Sequence, residues 1–184
     1  MEQFFAPLLE RLAAALDAAG VRYMVIGGQA VIQHGQSRLT EDIDITLGIG
    51  VDDWRRADAL LRGAGFVPRI ADYALLAADA SILLLADRST SIRIDVALAG
   101  SAFEEAAFGR VVRQRIGQTE VAFVSPEDLI VQKVVAGRER DHDDVRRLLR
   151  KQQSIDRAYV ERWLRDFGAA LDRDLLAEFR QLGP

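Results

Sequence analysis

The chain has 184 residues with a net charge of −4, and 49% of its residues are apolar, which is enough for one hydrophobic core and a small helical appendage. The acidic balance excludes a surface coated for indiscriminate nucleic-acid binding, and the lack of cysteine excludes disulfides and thiolate chemistry. No apolar run approaches the ~20 residues of a membrane span and the N-terminus lacks a basic leader, so we expect a cytoplasmic protein that does not enter the membrane.

The first predicted elements are a helix over residues 2–19, whose apolar residues recur at spacings of three and four, and a short strand over residues 22–26. Gly27 and Gly28 follow the strand and lead into a short helix over residues 29–34. A strand that enters a helix through two glycines exposes unpaired N–H groups at a helix N-terminus, and glycine lets a phosphate approach the backbone closely. The pattern therefore predicts half of a phosphate-binding site.

The next predicted strand, residues 42–47, alternates apolar residues with Asp42 and Asp44. Side chains two apart on a strand share a face, so both carboxylates point the same way. Neighbouring carboxylates in a partly buried setting repel each other unless a cation neutralises them, and Mg²⁺ is commonly held by one or two carboxylates together with substrate phosphates. A solvated strand face would show the same two aspartates, so the glycine turn before them strengthens the prediction of a site.

The spacing of these motifs carries a family resemblance: Gly27-Gly28, thirteen residues, and then Asp42-Ile43-Asp44. The combination resembles the signature of the DNA polymerase beta-like nucleotidyltransferase superfamily. More narrowly, the stretch GGQAVIQHGQSRLTEDIDI looks like the AbiEii-type nucleotidyltransferases of bacterial toxin–antitoxin and phage-defence systems. Many members of the superfamily have Gly-Ser where this chain has Gly-Gly, which removes one phosphate contact. The resemblance covers about residues 20 to 150.

Two further predicted strands, residues 82–86 and 91–98, form an antiparallel hairpin after an edge strand around Pro68. Asp95 lies in the middle of the second strand, where aspartate is a poor β-former. The residues alone leave two alternatives, a solvated face on which Asp95 pairs with Arg93, or a functional site. The resemblance implies the second alternative, because such nucleotidyltransferases carry a third carboxylate beside the Asp-x-Asp strand, where it completes the metal site and can act as a base.

A serine cap, a proline at the first helical position and an acid three residues after the cap make Ser125 a strong helix start. In the helix that follows, LIVQKVVA, the single charge is Lys133, which either extends to water or reaches a buried anion. Another helix begins at Asp141, and its apolar period turns Asp141 and Asp144 toward the core. These two acids can cap the helix or pair with nearby arginines.

The run EDLIVQKVVAGRERDHDDV resembles the downstream motif of the AbiEii-type branch. In that motif a lysine helps to bind the nucleotide phosphates, and a following cluster of arginine and aspartate shapes the site. The resemblance therefore implies that Lys133 binds phosphate and that Asp141 supports the nucleotide site.

The predicted fold is α/β (α+β), a nucleotidyltransferase fold with a mixed, twisted sheet flanked by helices and followed by C-terminal helices. We expect residues 1–150 to form the nucleotidyltransferase domain and residues 151–184 to form a small helical extension packed on it. Further predicted elements are helices that end near residues 62, 108, 167 and 181 and a hairpin over residues 110–124, whereas residues 71–80 show no clear period.

The resemblance implies transfer of a nucleoside monophosphate from an NTP to an acceptor hydroxyl, with release of pyrophosphate. Asp42, Asp44 and Asp95 would be the catalytic residues and would hold Mg²⁺ or Mn²⁺. Arg38 precedes these carboxylates and can either contact the triphosphate or pair with a neighbouring acid. The nucleotide would be bound by the following set: Gly27, Gly28, Arg38, Lys133 and Asp141.

The acceptor is the open question at this level. The resemblance implies an RNA, in particular a tRNA end, modified by a toxin that has a cognate antitoxin. An antibiotic or other small-molecule hydroxyl, a protein side chain, and a catalytically inactive member that binds nucleotide or a partner are the alternatives. An RNA acceptor requires a local cationic surface, and arginines concentrate in residues 138–157, where Arg146, Arg147 and Arg150 lie on the outward face of their predicted helix.

Overall fold

A computed structural model describes residues 2–35, 39–152 and 154–183 of the chain. In these residues there are seven strands, nine α-helices and a 3-10 turn at Val51–Asp53. The strands are β1 (Tyr23–Ile26), β2 (Asp42–Leu47), β3 (Phe66–Pro68), β4 (Ile82–Asp87), β5 (Arg93–Leu98), β6 (Val112–Ile116) and β7 (Thr119–Phe123). The helices are α1 (Glu2–Ala18), α2 (Gly27–Gln33), α3 (Trp54–Gly63), α4 (Tyr73–Ala80), α5 (Ala102–Phe108), α6 (Pro126–Ala136), α7 (Glu139–Lys151), α8 (Arg157–Leu171) and α9 (Leu175–Leu182).

The strands form one mixed sheet in the order β3-β4-β5-β2-β1-β7-β6. At its centre β2 runs parallel to β5 and antiparallel to β1, while β4 and β5 form the predicted antiparallel hairpin. Pro68 lies on an edge strand as predicted, where its missing N–H removes no hydrogen bond from the interior of the sheet. The mixed sheet with flanking helices confirms the predicted fold class.

Helix α4 occupies the segment that showed no clear period. Its residues, YALLAADA, are almost all apolar, so an apolar stripe cannot be distinguished from the rest of its surface. Tyr73 and Ala77, four residues apart, are buried, whereas Leu75 is 65% exposed. The buried face is therefore set by the packing of the helix rather than by a contrast that the sequence displays.

The chain divides into two compact units, residues 1–29 with 39–124, and residues 30–38 with 125–184. The first unit contains the sheet, and α1 packs on β7 and on α3 through buried side chains such as Leu12 and Leu16. The predicted domain boundary at residue 150 stays a prediction.

The two faces of the central strands of this unit differ. Ile43, Ile94 and Leu85, on neighbouring strands, are fully buried and form the core side. The other face of these strands is partly open to solvent near the two aspartates of β2. Its half-buried or exposed residues there are Asp42, Asp44, Arg93, Asp95 and Leu84. The polar side chains of β2 and β5 therefore belong to a partly open face of the sheet.

The second unit is a helical cluster in which α6 packs against α7, α8 and α9. Ser125 caps α6 by accepting a hydrogen bond from the Asp128 N–H, Pro126 occupies the first helical position, and Gly137 ends the helix with φ +65°. The carboxylate of Asp128 is fully buried and accepts hydrogen bonds from the Ser125 and Tyr159 hydroxyls at 2.6 Å each. The predicted helix start is thus confirmed. Within the described residues no helix combines the length and apolar character that crossing a membrane requires.

Candidate active site

The register of β2 and β5 brings the three predicted carboxylates onto one face of the sheet. Asp44 is the direct partner of Asp95 across the parallel strand pair, and Asp42 is the partner of Arg93. Paired residues of adjacent strands project from the same face, as do residues two apart on one strand. Asp42, Asp44 and Asp95 therefore share the partly open face, although Asp44 and Asp95 are 51 residues apart in the sequence.

Two of these carboxylates are paired with arginines. The Nη2 of Arg69 donates to Oδ1 of Asp95 at 2.7 Å, and the two side chains are 28% and 33% exposed. The Nη2 of Arg93 lies 3.5 Å from Oδ2 of Asp42 and 3.3 Å from Oε2 of Glu41. Ion pairs at this exposure contribute about 0–1 kcal/mol each, so water or another cation can replace them at small cost.

Two further residues, Thr40 and Gln29, also contact Asp42. The hydroxyl of Thr40 donates to Oδ1 of Asp42 at 3.0 Å, and the side-chain amide of the buried Gln29 donates to the Asp42 carbonyl at 3.4 Å. Gln29 thus ties the first turn of α2 to the start of β2. The sequence shows that Gln29 directly follows Gly28 in the glycine turn. Its contact with Asp42 could not be predicted, because it depends on how α2 and β2 are placed in the fold.

Gly27 forms the turn that sets the backbone against Asp44. It has φ +62°, and a Cβ atom built on it would lie 1.9 Å from Oδ2 of Asp44. A contact below 3.0 Å is closer than real Cβ atoms approach, so only glycine leaves room for this carboxylate. The structure therefore joins the glycine turn to the second aspartate of the Asp-x-Asp motif.

The donors on this face suit a hard divalent cation, because Mg²⁺ takes carboxylate oxygens and shares them with substrate phosphates. Over the described ranges no group of three or more acidic, histidine or cysteine side chains is already gathered around one point. Instead, the Asp42 carboxylate lies against Arg93 and the Asp95 carboxylate against Arg69. The residues thus fit the cation in donor type and in strand position, with arginines supplying the positive charge.

Lys133 lies in the second unit and is 5% exposed. Its Nζ contacts Oδ1 of Asp141 at 2.7 Å and Oδ2 of Asp144 at 3.0 Å, while Nε of Arg138 donates to Oδ2 of Asp141 at 2.5 Å. Burial by itself raises the pKa of Asp141, but the hydrogen bonds from Arg138 and Lys133 outweigh it and hold the pKa below its ordinary value. Of the two alternatives for Lys133, the structure selects the buried anion. Its role toward phosphate, and that of Asp141, stay predictions.

Two other predicted features are less defined by the structure. Arg38 lies outside the described residues, so its predicted contact with a triphosphate stays a prediction. In the predicted cationic surface, Arg146 pairs with Asp143 at 2.7 Å and Arg138 pairs with Asp141. Part of the positive charge on α7 is therefore neutralised within the helix itself.

Arg69 is the site residue that sequence reasoning missed. It follows the edge strand β3, and its N–H donates to the carbonyl of Leu84, which is the β-partner of Asp95. No spacing in the sequence connects Arg69 with Asp95, since Arg69 follows β3, Asp95 lies on β5, and β4 separates these two strands. The contact follows only from the register of three neighbouring strands.

Comparison with known proteins agrees with this architecture. The family model of the nucleotidyl transferase AbiEii toxin, of type IV toxin–antitoxin systems, matches residues 8–182. A search of curated protein sequences gave no significant match.

Solved structures with a similar fold come from several nucleotidyltransferases. The solution structure of the antibiotic-resistance factor ANT(2'')-Ia aligns with TM-score 0.62 and 21% identity over 94% of this chain and 97% of that one. An antigenic nucleotidyltransferase-like protein from Paracoccidioides brasiliensis gives TM-score 0.58 and 16% identity over 95% and 91%. The lincosamide antibiotic adenylyltransferase LnuA gives 0.55 and 17% over 82% and 96%. At these identities the structural likeness establishes the fold.

Proposed function

This chain belongs to the AbiEii family of nucleotidyl transferases, and we propose that it moves a nucleoside monophosphate from an NTP to an acceptor hydroxyl with a divalent cation held by Asp42, Asp44 and Asp95. The observation that carries the proposal is the register of β2 and β5, which pairs Asp44 with Asp95 and puts Asp42 on the same face. Three acids on one partly open face repel each other, and a divalent cation bound among them would relieve this repulsion. The arginines beside Asp95 and Asp42 support the same conclusion, because this face already draws positive charge.

The roles of the chain's own residues follow from their positions. Gly27 leaves room for the Asp44 carboxylate beside the glycine turn, and the motif resemblance supports Gly27 and Gly28 as residues that bind the phosphates of the nucleotide. Gln29 and Thr40 hold the start of β2, so that Asp42 and Asp44 keep their direction on the face. When bound, Mg²⁺ or Mn²⁺ would neutralise phosphate charge and lower the pKa of the attacking hydroxyl.

Asp95, at the far side of Asp44 from Gly27, is suited to accept the proton of the acceptor hydroxyl. Lys133, Arg38 and Asp141 complete the proposal as nucleotide-binding residues, on the strength of the motif resemblance.

For the acceptor we propose RNA, in particular a tRNA end, with the chain acting as a toxin that a cognate antitoxin restrains. The support is the family, whose model is described as a toxin of type IV toxin–antitoxin systems. Among the structural relatives, LnuA is a lincosamide adenylyltransferase and ANT(2'')-Ia has been crystallised with adenylyl-2''-tobramycin. An antibiotic or other small molecule is therefore the competing outcome of the test.

The cation site is tested by thermal melting of the full chain with Mg²⁺ or Mn²⁺ and a non-hydrolysable NTP. Wild type should melt at a higher temperature with both ligands present, and Asp44→Asn should lose most of that increase. Asp17→Asn is the matched control, because Asp17 lies on α1 and its recorded partner is Arg113 at 3.7 Å. An undiminished increase in Asp44→Asn would remove Asp44 from the site.

The acceptor is tested by incubation with each α-phosphate-labelled NTP, Mg²⁺ and total bacterial RNA. We expect label in a tRNA-sized band, and no label with Asp44→Asn. Label that enters a small-molecule or protein fraction instead would contradict the RNA acceptor and leave the nucleotidyl transfer standing.

A further inference from the structure

A single row of positions crosses the open face of the sheet at the level of the acids. Ile26 pairs with Asp44, Asp44 with Asp95, Asp95 with Leu84, and the N–H of Arg69 bonds to the Leu84 carbonyl. Directly paired positions share a face, so the row presents two carboxylates in the middle and the Arg69 guanidinium at its outer end. Gly27, next to Ile26, marks the opposite end of the row.

The row has a direction if the proposed function holds, and the present inference rests on that function. The proposed function puts the phosphates of the NTP at the turn of Gly27 and Gly28, which lies against Asp44 and therefore at this end of the row. In phosphoryl transfer the attacking and leaving oxygens lie roughly in line on opposite sides of phosphorus. The acceptor must therefore approach from the opposite end, beyond Asp95, which is the end that Arg69 occupies.

On β4 and β3 the surroundings of that end are apolar apart from Arg69, whereas Arg93 of β5 lies opposite Ala86 on the same face. Leu84 and Ala86 on β4, and Val67 on β3 opposite Ala86, fall on the same face and are half-buried. This apolar strip suits the face of a flat ring, and it ends at the Arg69 guanidinium. A nucleotide unit offers both an apolar ring face and a phosphate, whereas a polycationic small molecule would be repelled by the guanidinium.

The two arginines of the face differ in what remains to them once the acids serve a cation. Arg93 contacts Glu41 at 3.3 Å as well as Asp42, so it keeps a carboxylate partner if Asp42 is withdrawn. For Arg69 the carboxylate recorded in the structure is Asp95 alone among the described residues. When Asp95 gives its charge to a cation, Arg69 is the guanidinium left facing the acceptor end.

We propose that Arg69 is an acceptor-specificity residue, which pairs with Asp95 in the unloaded chain and binds a phosphate of a single-stranded nucleic-acid acceptor in the loaded one. No bond is made or broken in this exchange of ion-pair partners. A carboxylate-bearing acceptor, such as an acidic peptide, offers a similar charge but no ring face for the strip.

The test compares wild type, Arg69→Gln and Arg69→Lys with Arg113→Gln as the matched control. Arg113 also pairs with an aspartate, Asp17 at 3.7 Å, and it lies on β6 at the opposite edge of the sheet. The probes are a mixed-sequence single-stranded RNA oligonucleotide, its uncharged methylphosphonate analogue and a poly-aspartate peptide, each with Mg²⁺. A non-hydrolysable NTP is titrated separately.

Arg69→Gln should bind the RNA oligonucleotide about tenfold more weakly than wild type, and its slope of log affinity against log salt should fall by about 0.7, the value for one phosphate contact on a single strand. Arg69→Lys should retain the wild-type slope because it retains the charge, and Arg113→Gln should match wild type. The methylphosphonate should bind wild type and Arg69→Gln alike. NTP affinity should fall in none of the variants, because Arg69 competes with the cation for Asp95 rather than binding the NTP.

Three results would overturn the inference. Equal RNA affinity and salt slope in wild type and Arg69→Gln would remove Arg69 from the acceptor end, and so would wild type that binds no RNA while still binding NTP. An Arg69 dependence that appears with poly-aspartate and not with RNA would identify a protein acceptor instead. Failure of wild type to bind NTP and Mg²⁺ is a different outcome, since it would refute the proposed function itself.

Discussion

The close approach of Gly27 to Asp44 gives a sharp prediction for Gly27→Ala. The substitution introduces two separate costs, a side chain at φ +62° and a Cβ atom 1.9 Å from Oδ2 of Asp44. Gly20 allows the two costs to be measured separately, because it has φ +63° and no atom within 4 Å of the Cβ that alanine would add. Gly20→Ala therefore contains the first cost without the second. The reduced freedom of the unfolded chain is common to both variants and cancels in the comparison.

The magnitudes follow from these contacts. A left-handed backbone costs a non-glycine residue about 1–2 kcal/mol, which is the expected loss of stability in Gly20→Ala. In Gly27→Ala the carboxylate of Asp44 must also leave its rotamer, which adds ~0.5–1.5 kcal/mol. For a chain of this length each kcal/mol lowers Tm by about 2–4 °C, so Gly27→Ala should melt roughly 3–14 °C below wild type. It should also melt at a lower temperature than Gly20→Ala.

The assay is urea unfolding of both variants, followed by melting with Mn²⁺ and a non-hydrolysable NTP. Because the added methyl group displaces Asp44, Gly27→Ala should lose the ligand-dependent rise in Tm, and Gly20→Ala should keep it. In an Asp44→Ala background the carboxylate is gone and the nearest remaining atom is the Asp44 Cβ at 2.9 Å, so the extra cost of Gly27→Ala should shrink. Equal losses in the two glycine variants, with the ligand response intact in both, would refute the reasoning.

Two further predictions concern buried charges. Lys133→Met leaves Asp141 and Asp144 without their shared ammonium and should cost ~3–5 kcal/mol in urea unfolding. Lys151→Met, which among the described residues loses an exposed hydrogen bond to the Gly35 carbonyl, should cost under about 1 kcal/mol. Equal costs in the two variants would contradict the buried cluster. Burial alone raises the pKa of Asp87, but hydrogen bonds from Ser89, Thr90 and Arg11 hold it well below its ordinary value. A carboxyl group whose pKa is lowered in the folded state stabilises the fold above the unfolded pKa of about 3.9, and this stabilisation is lost as pH falls through the folded pKa. The difference in unfolding free energy between wild type and Asp87→Asn should therefore narrow from pH 5 to pH 2. A constant difference would contradict the lowered pKa of Asp87.

Much of the fold was predictable because its signals are local. Strand β2 alternates strictly, so its bounds at residues 42–47 match the prediction, and the serine and proline at residues 125–126 define the start of α6. Helix α4 was not predictable from its period, since apolar residues, four of them alanines, occupy nearly all of its positions. Where apolar and polar residues contrast, a single sequence locates an element well.

The candidate site was predictable in its acids and not in its cations. Asp42 and Asp44 share a strand, and Asp95 is marked by being an aspartate in mid-strand, so each carries a local signal. The partner of Asp95 is Arg69, two strands away, and the chain has 22 arginines in which nothing distinguishes this one. Pairing across a sheet depends on register, which a single sequence specifies only through patterns repeated along each strand.

The same comparison separates exchangeable acids from fixed ones. Asp95 and Asp42 are about one-third exposed and meet arginines that are themselves 28% and 45% exposed, so these pairs exchange with solvent ions at small cost. Asp141 is fully buried, and its partner Lys133 has a side chain that is 7% exposed, so separating them would strand an uncompensated charge. A cation will therefore displace the arginines from the acids of the open sheet face far more readily than it will displace Lys133 from Asp141, and a phosphate will likewise displace the acids from those arginines more readily. This agrees with the proposed role of Asp42 and Asp95 as cation ligands. A direct contact of Lys133 with nucleotide would first have to offset the cost of separating the Lys133–Asp141 pair.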